Sequence, residues 1–214
     1  MKRLRRIQLI NWHRFTHHTL AVDGHLLLMG DNGSGKSTIL DALQVGLVGN
    51  VRAVRLNLAA NEGGDRSLAS YVLGVIGGGI DGQKTRTLRK NATAYVLLEF
   101  EDTEAGEAFV LGTVIDAHAD GRSPDKEHFI ARPARLEDCP CLTDRRVPRT
   151  VREFKRPAPS HQIIRRYARV EEYQQAVLRL LGGLDPEFFR LFVSGMAFRK
   201  IRHLRDFVYD FLLP

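Results

Sequence analysis

Gly30-Asp31-Asn32-Gly33-Ser34-Gly35-Lys36-Ser37-Thr38 is the stretch whose reading decides the fold of this chain. It meets the pattern G-x-x-x-x-G-K-[ST] in full, and its surroundings matter more than the string. The apolar run His25-Leu26-Leu27-Leu28-Met29 precedes it, and Ile39, Leu40, Leu43 and Leu47 follow at helical spacing. Glycines let successive backbone N–H groups approach an anion that a Cβ would hold off. The helix beginning after Lys36 adds the partial positive charge of its N-terminus. Lys36 is expected to reach the β and γ phosphates, and the Ser37 hydroxyl to ligate Mg²⁺. ATP and Mg²⁺ are therefore the expected ligands, held by Asn32, Gly33, Ser34, Gly35, Lys36, Ser37 and Thr38.

Upstream of the loop, residues 3–10 and 15–22 alternate as strands. Asp23-Gly24 reads as the turn leading into residues 25–29, a short apolar run that predicts a buried central strand. Downstream, Gly49-Asn50 ends the helix over 37–48, and a short helix is expected over 67–73. Gly77-Gly78-Gly79 marks a loop. Strands over 93–101, 107–117 and 127–136 then form an antiparallel meander, with turns at 102–106 and 119–124. The proline-bearing stretch 137–160 predicts a long surface excursion. Helices follow over 171–181, closed by Gly182-Gly183, and over 187–193, opened by the cap pair Asp185-Pro186. A last helical pattern runs over 201–213. The fold class is α/β: a P-loop core with an antiparallel β subdomain and C-terminal helices.

Composition narrows the rest. A charged fraction of 27% beside 43% hydrophobic residues excludes wholesale disorder. No apolar stretch is long enough to span a bilayer, so no membrane partner is expected. With no secretory h-region after the basic N-terminus, the expected compartment is the cytoplasm. Cys139 and Cys141 are too few for a disulfide framework. Their C-x-C spacing, with His128 and His161 nearby, raises a zinc site, but the reading adopted is two free thiols in a proline-rich loop. The formal net charge of +7, with arginines dense from Arg145 to Arg169, favours a polyanionic or acidic partner.

A nucleotide hydrolase also needs a carboxylate to position metal or water at the end of a buried strand. The candidates are Glu99 and Glu101 in Tyr95-Val96-Leu97-Leu98-Glu99-Phe100-Glu101-Asp102, and Asp116 after Val114-Ile115. Both are explained as well by a half-exposed strand or a strand end. The catalytic residue is left unassigned, because the chain shows a phosphate cradle without its carboxylate.

Gly30 through Ser37, continued by Thr38-Ile39-Leu40-Asp41-Ala42, resembles the Walker A region of the ABC-type heads of SMC and related chromosome and DNA-repair ATPases. Ile10-Asn11-Trp12-His13-Arg14-Phe15 is similar to the turn that precedes that region in the MukB-like branch. Residues 65–74 and the ending Phe207-Val208-Tyr209-Asp210-Phe211-Leu212-Leu213 extend the likeness to the JetC family, the SMC-like ATPases of Wadjet plasmid-defence condensins. The likeness is specific over the first fifty residues and rests on strand pattern alone in the middle.

The resemblance implies an N-terminal head lobe over residues 1–200, with 201–214 leading toward a coiled coil. It implies Walker B from the C-terminal half of the same head and a signature motif from a second head in a homodimer. It further implies a kleisin-type subunit, sequence-independent binding of double-stranded DNA, and a nucleoid-associated location. His13 and Arg14 then become candidate nucleotide contacts, and Arg52, Arg55 and Arg66 candidate DNA contacts. One departure stands out: these heads carry a Q-loop glutamine near Ser194-Gly195-Met196-Ala197-Phe198, and none is there. Gln44 is read as a packed helical residue, and Trp12 as core. Three functions compete: an ATP-driven DNA motor, a repair ATPase of the RecF or SbcC type, and a nucleotide-binding switch that never hydrolyses. A transporter ATPase fits less well, since nothing suggests a membrane-docking module.

Overall fold

The computed structural model describes residues 1–49, 67–76, 86–156 and 162–196. Its centre is a six-stranded sheet in the order β2-β1-β5-β6-β7-β8, antiparallel at every pairing. The strands are β1 (Lys2–Trp12), β2 (Phe15–Ala21), β5 (Asn91–Asp102), β6 (Glu107–His118), β7 (Asp125–Ala131) and β8 (Ile164–Tyr167). The short strands β3 (Val75–Ile76) and β4 (Arg86–Thr87) form a separate ribbon. The helices are α1 (Lys36–Val48), α2 (Leu68–Leu73), α3 (Val151–Phe154), α4 (Val170–Leu180) and α5 (Glu187–Met196).

Side chains alternate across the sheet, so each strand feeds two cores. On one face Ile7, Leu9, Val96, Leu98, Leu111 and Ile115 meet α1, α2, α4 and α5. On the other, Ile10, Tyr95, Leu97, Val110, Val114 and Phe129 meet the chain from Ala134 to Phe154. Asn11, at φ 51°, breaks the alternation of β1, and Trp12 lands on the helix face with Ile7 and Leu9. Gly46 lets α1 lie directly on β5, since a Cβ there would stand 2.8 Å from the Leu98 side chain.

The meander over β5, β6 and β7 and the Asp185 cap are where the sequence places them; the Asp185 carboxylate accepts from Glu187 N at 2.8 Å. Four expectations are corrected. Residues 25–29 form no strand among the described residues, and Leu27 and Met29 are about four-fifths exposed (80% and 81%). An apolar run becomes a central strand only when sheet lies beside it, and here none does.

The stretch 137–160 is a surface excursion only in part where it is described: residues 144–147 are exposed, while Cys139, Cys141, Val151 and Phe154 are buried and roof the second face. That roof also corrects the half-exposed reading of β5, whose Glu99 is buried. The third meander strand ends at Ala131, before Pro133, which has no N–H to donate to a ladder. Finally, β8 and α3 lie outside the expected elements, although α3 opens on the capping box Thr150-Val151-Arg152-Glu153, with Glu153 N donating to Thr150 Oγ1 at 3.2 Å and Thr150 N to Glu153 Oε2 at 2.8 Å. Helix α5 runs three residues beyond the predicted Val193, and the pattern over 201–213 lies outside the described residues, as does His161.

Replacing Gly46 by Leu installs a better helix former but drives its side chain into Leu98 and Val96. Urea denaturation is expected to show a loss of about 1–3 kcal/mol. An unchanged midpoint would mean that α1 is not pressed onto β5.

Candidate functional site

The chain between β2 and α1 builds the loop that the sequence singles out. Gly30, Gly33 and Gly35 take φ of 145°, 81° and 104°, which lies in the left-handed range that side chains disfavour. Gly35 is the N-cap residue of α1, and no side chain caps the helix. Ile39 N is the first donor to return to the loop, to Gly35 O at 3.0 Å. The N–H groups of Lys36, Ser37 and Thr38 open the helix, and no acidic residue occupies its first turn. They form a cluster of donors at the positive end of a helix dipole, which suits an anion. The Lys36 ammonium folds over the loop and donates to Gly30 O at 2.6 Å and to Asp31 O at 2.8 Å. Asn32, Gly33 and Ser34 are exposed around it, and Ser37 is partly exposed at the first turn.

The β1–β2 turn braces this loop. The Trp12 indole is fully buried and donates to Thr38 O at 2.9 Å. A Cβ on Gly35 would lie 3.0 Å from the Phe15 ring, so the turn presses on the loop's last glycine. His13 is buried, with its ring nitrogen 3.2 Å from Val75 O and its backbone N–H bonded to Tyr71 O. Arg14 is exposed. Of the two candidates in this turn, Arg14 is the side chain with room to reach a ligand. Trp12 packs in the core, as the sequence suggests.

A buried knot behind the loop went unread. Asp41, one helical turn beyond Ser37, accepts from the Tyr71 hydroxyl, and Gln44 Nε2 lies 3.4 Å from its other oxygen. Tyr71 stacks on Trp12 with centroids 4.7 Å apart. The signal was present in the sequence: a carboxylate between Leu40 and Ala42, with Gln44 one turn on, set among the apolar residues of a buried helix. Gln44 is buried in the helix, which fits the packed reading given it.

Helix α1 is held equally firmly at its far end. Tyr173 Oη donates to Gly46 O at 2.5 Å, Gln174 Nε2 to Val48 O at 2.9 Å, and Lys126 Nζ lies 3.4 Å from Gly49 O. His128 stacks on Tyr173 at 4.9 Å and meets Thr113 Oγ1 through Nδ1 at 2.9 Å. Burial holds the His128 imidazole down at about 4.

The acidic candidates sit elsewhere. Glu99 is pinned by Arg6 at 2.9 and 2.5 Å and by Leu136 N at 2.8 Å. Asp116 accepts from Thr93 Oγ1 at 2.6 Å and caps α3 through Val151 N at 2.9 Å. Glu101 is held by Arg5 at 2.6 Å. Glu99 and Asp116 lie on the sheet face turned away from α1, so a full sheet separates them from the loop. Among the described residues no group of His, Cys, Asp and Glu could hold a metal ion. Cys139 and Cys141 are buried free thiols. Burial pushes Cys139 up to about 12 and raises Cys141 well above its ordinary value, so both are unreactive.

A family model described as the P-loop containing region of AAA domain matches residues 4–63. Over that stretch the chain is similar to an AAA-type P-loop region. It spans β1, the bracing turn, the glycine loop and α1, the parts that geometry joins into one unit. No curated protein matches the chain. No helix among the described residues is long and apolar enough to cross a membrane. Arg52, Arg55 and Arg66 lie outside the described residues.

Two measurements follow. Glu99→Ala leaves the buried Leu136 N without its acceptor, while Arg6 keeps the exposed Glu137, and is expected to cost about 1–3 kcal/mol of stability while leaving nucleotide affinity unchanged. A loss of affinity without a loss of stability would return Glu99 to the candidate site. For His128, the native pKa is depressed below the unfolded value of about 6.5, so the unfolded chain binds the extra proton. Stability is therefore present above that value and falls as pH drops from about 6.5 toward 4, at up to roughly 1.4 kcal/mol per pH unit. Urea melts at stepped pH should show this slope in the wild type and its loss in His128→Gln.

Proposed function

We propose that this chain is the nucleotide-binding lobe of an SMC-like ATPase head that acts on DNA, its site completed by residues this lobe does not supply. The observation that carries the reading is the division of the chemistry. The anion cradle at Gly30–Thr38 is built and braced, while the strand-borne carboxylates point the other way, onto Arg6 and the α3 cap. Residues 25–29 support the same reading: an apolar run on the approach to the loop, unpaired among the described residues, suits a strand added from the rest of a head.

In this reading ATP phosphates take the N–H groups of residues 33–38, Lys36 turns from the loop carbonyls to the β and γ phosphates, and Ser37 ligates Mg²⁺. Arg14 adds a cation from the bracing turn. The C-terminal half of the head brings the Walker B carboxylate, a second head closes the site, and hydrolysis releases the pair. A kleisin-type subunit would bridge the heads. Arg52, Arg55 and Arg66 would meet the backbone of double-stranded DNA without reading sequence, with binding that weakens steeply with salt.

The far-face position of the carboxylates also favours a second reading, a nucleotide-binding switch that does not hydrolyse. Binding of a fluorescent ATP analogue should fall by about tenfold or more in Lys36→Ala, and this is expected under both. Turnover separates them. The chain alone should run near background, and addition of the C-terminal half should restore DNA-stimulated hydrolysis. Continued inactivity at saturating ATP would sink the motor and leave the switch.

A further inference from the structure

A groove of about 500 Å³ opens on the helix side of the sheet edge, between β7, β8 and α4. Its floor is apolar, formed by Ile130, Tyr167 and Leu180, and its rim carries Arg132, Arg165 and Arg179. All three arginines are exposed. They are not consumed by internal ion pairs in the way Arg5 and Arg6 are. Arg165 lies over the Tyr167 ring at 5.5 Å, Arg132 shares an exposed contact of 3.2 Å with Glu107, and Arg179 makes no ion pair among the described residues. Three guanidinium groups around a small opening repel one another, and that repulsion is relieved by an anion seated among them.

The groove is not the nucleotide site. It flanks α4, whose Tyr173 and Gln174 grip the C-terminal end of α1, and the thirteen-residue helix puts the P-loop about 20 Å away at the other end.

The chemistry of the lining selects the occupant. A nucleic-acid backbone offers phosphates but nothing to cover an apolar floor. The one aromatic ring here is buried and capped by Arg165, so a base has no face to stack on. A peptide with carboxylates flanking an apolar side chain satisfies both parts, placing the apolar group on Ile130 and Leu180 and the carboxylates on the rim. We infer that this groove is a docking site for an acidic peptide segment of a partner protein, anchored by one apolar side chain. The inference stands independently of the nucleotide reading.

The test uses the whole chain and a fluorescently labelled peptide of alternating Glu and Leu, followed by polarisation. Binding is expected for the wild type and about tenfold weaker for the Arg165→Glu/Arg179→Glu double variant. Affinity for the fluorescent ATP analogue should be the same in both proteins, which shows that the variant is folded. A matched peptide with Ser in place of Leu, and another with Lys in place of Glu, should each bind more weakly. Equal binding by wild type and double variant, or by the Leu and Ser peptides, would overturn the inference. So would duplex DNA binding that is abolished by the same two substitutions, which would reassign the groove to nucleic acid.

Discussion

The P-loop helix is fixed at both ends by side chains from distant parts of the chain, and the rest of the structure depends on that double hold. At its start Trp12 takes Thr38 O and Phe15 presses on Gly35. At its end Tyr173 and Gln174 take the carbonyls of Gly46 and Val48. A helix leaves donors unmet at one end and acceptors at the other. Here the acceptors are met by protein and the leading donors are left facing the glycine loop. This asymmetry keeps the loop's geometry in place before any ligand arrives, which lowers the cost of ordering it on binding.

The hold also explains the allocation of charge. The half-buried Arg6 and the buried Glu99 form a pair whose value lies in fixing β1 against β5 and drawing Leu136 onto the sheet. A carboxylate so engaged, facing the second core, is a structural member, and the same is true of Asp116 under α3. Acidic groups near a phosphate cradle would oppose an anion; apart from the buried and hydrogen-bonded Asp41, the site-facing surface of α1 carries none.

What was legible in the sequence was what local pattern controls. The glycine loop, the apolar spacing of α1, the alternation in β5 and β6 and the Asp185-Pro186 cap each depend on neighbours a few residues away, and each appears in place. What was not legible depends on long-range partners. Residues 25–29 have the composition of a central strand, but composition does not supply the sheet beside them. The stretch 137–155 contains prolines and arginines, yet Val151 and Phe154 at its end are drawn down because the sheet's second face must be covered. The Asp41–Tyr71–Trp12 knot brings together three residues from separate elements, and only the odd placement of Asp41 in an apolar helix hinted at it. His13 and Arg14 are adjacent in sequence but opposite in exposure, a difference that the positive φ of His13 helps set.

The topology has a consequence for how the chain is made. β1 lies between β2 and β5, and Ile7 waits for Leu98 some ninety residues later. Gly46 waits for Tyr173, 127 positions further on. Contacts so distant in sequence close slowly, because the intervening chain must first lose its freedom. During synthesis the glycine loop and its helix therefore follow directly on the β1–β2 turn that braces their start, while the residues that hold the helix's far end arrive late. In that interval the apolar side of α1 has β1, β2 and then α2 to rest on. The helix is thus held at the loop end well before it is held at the other.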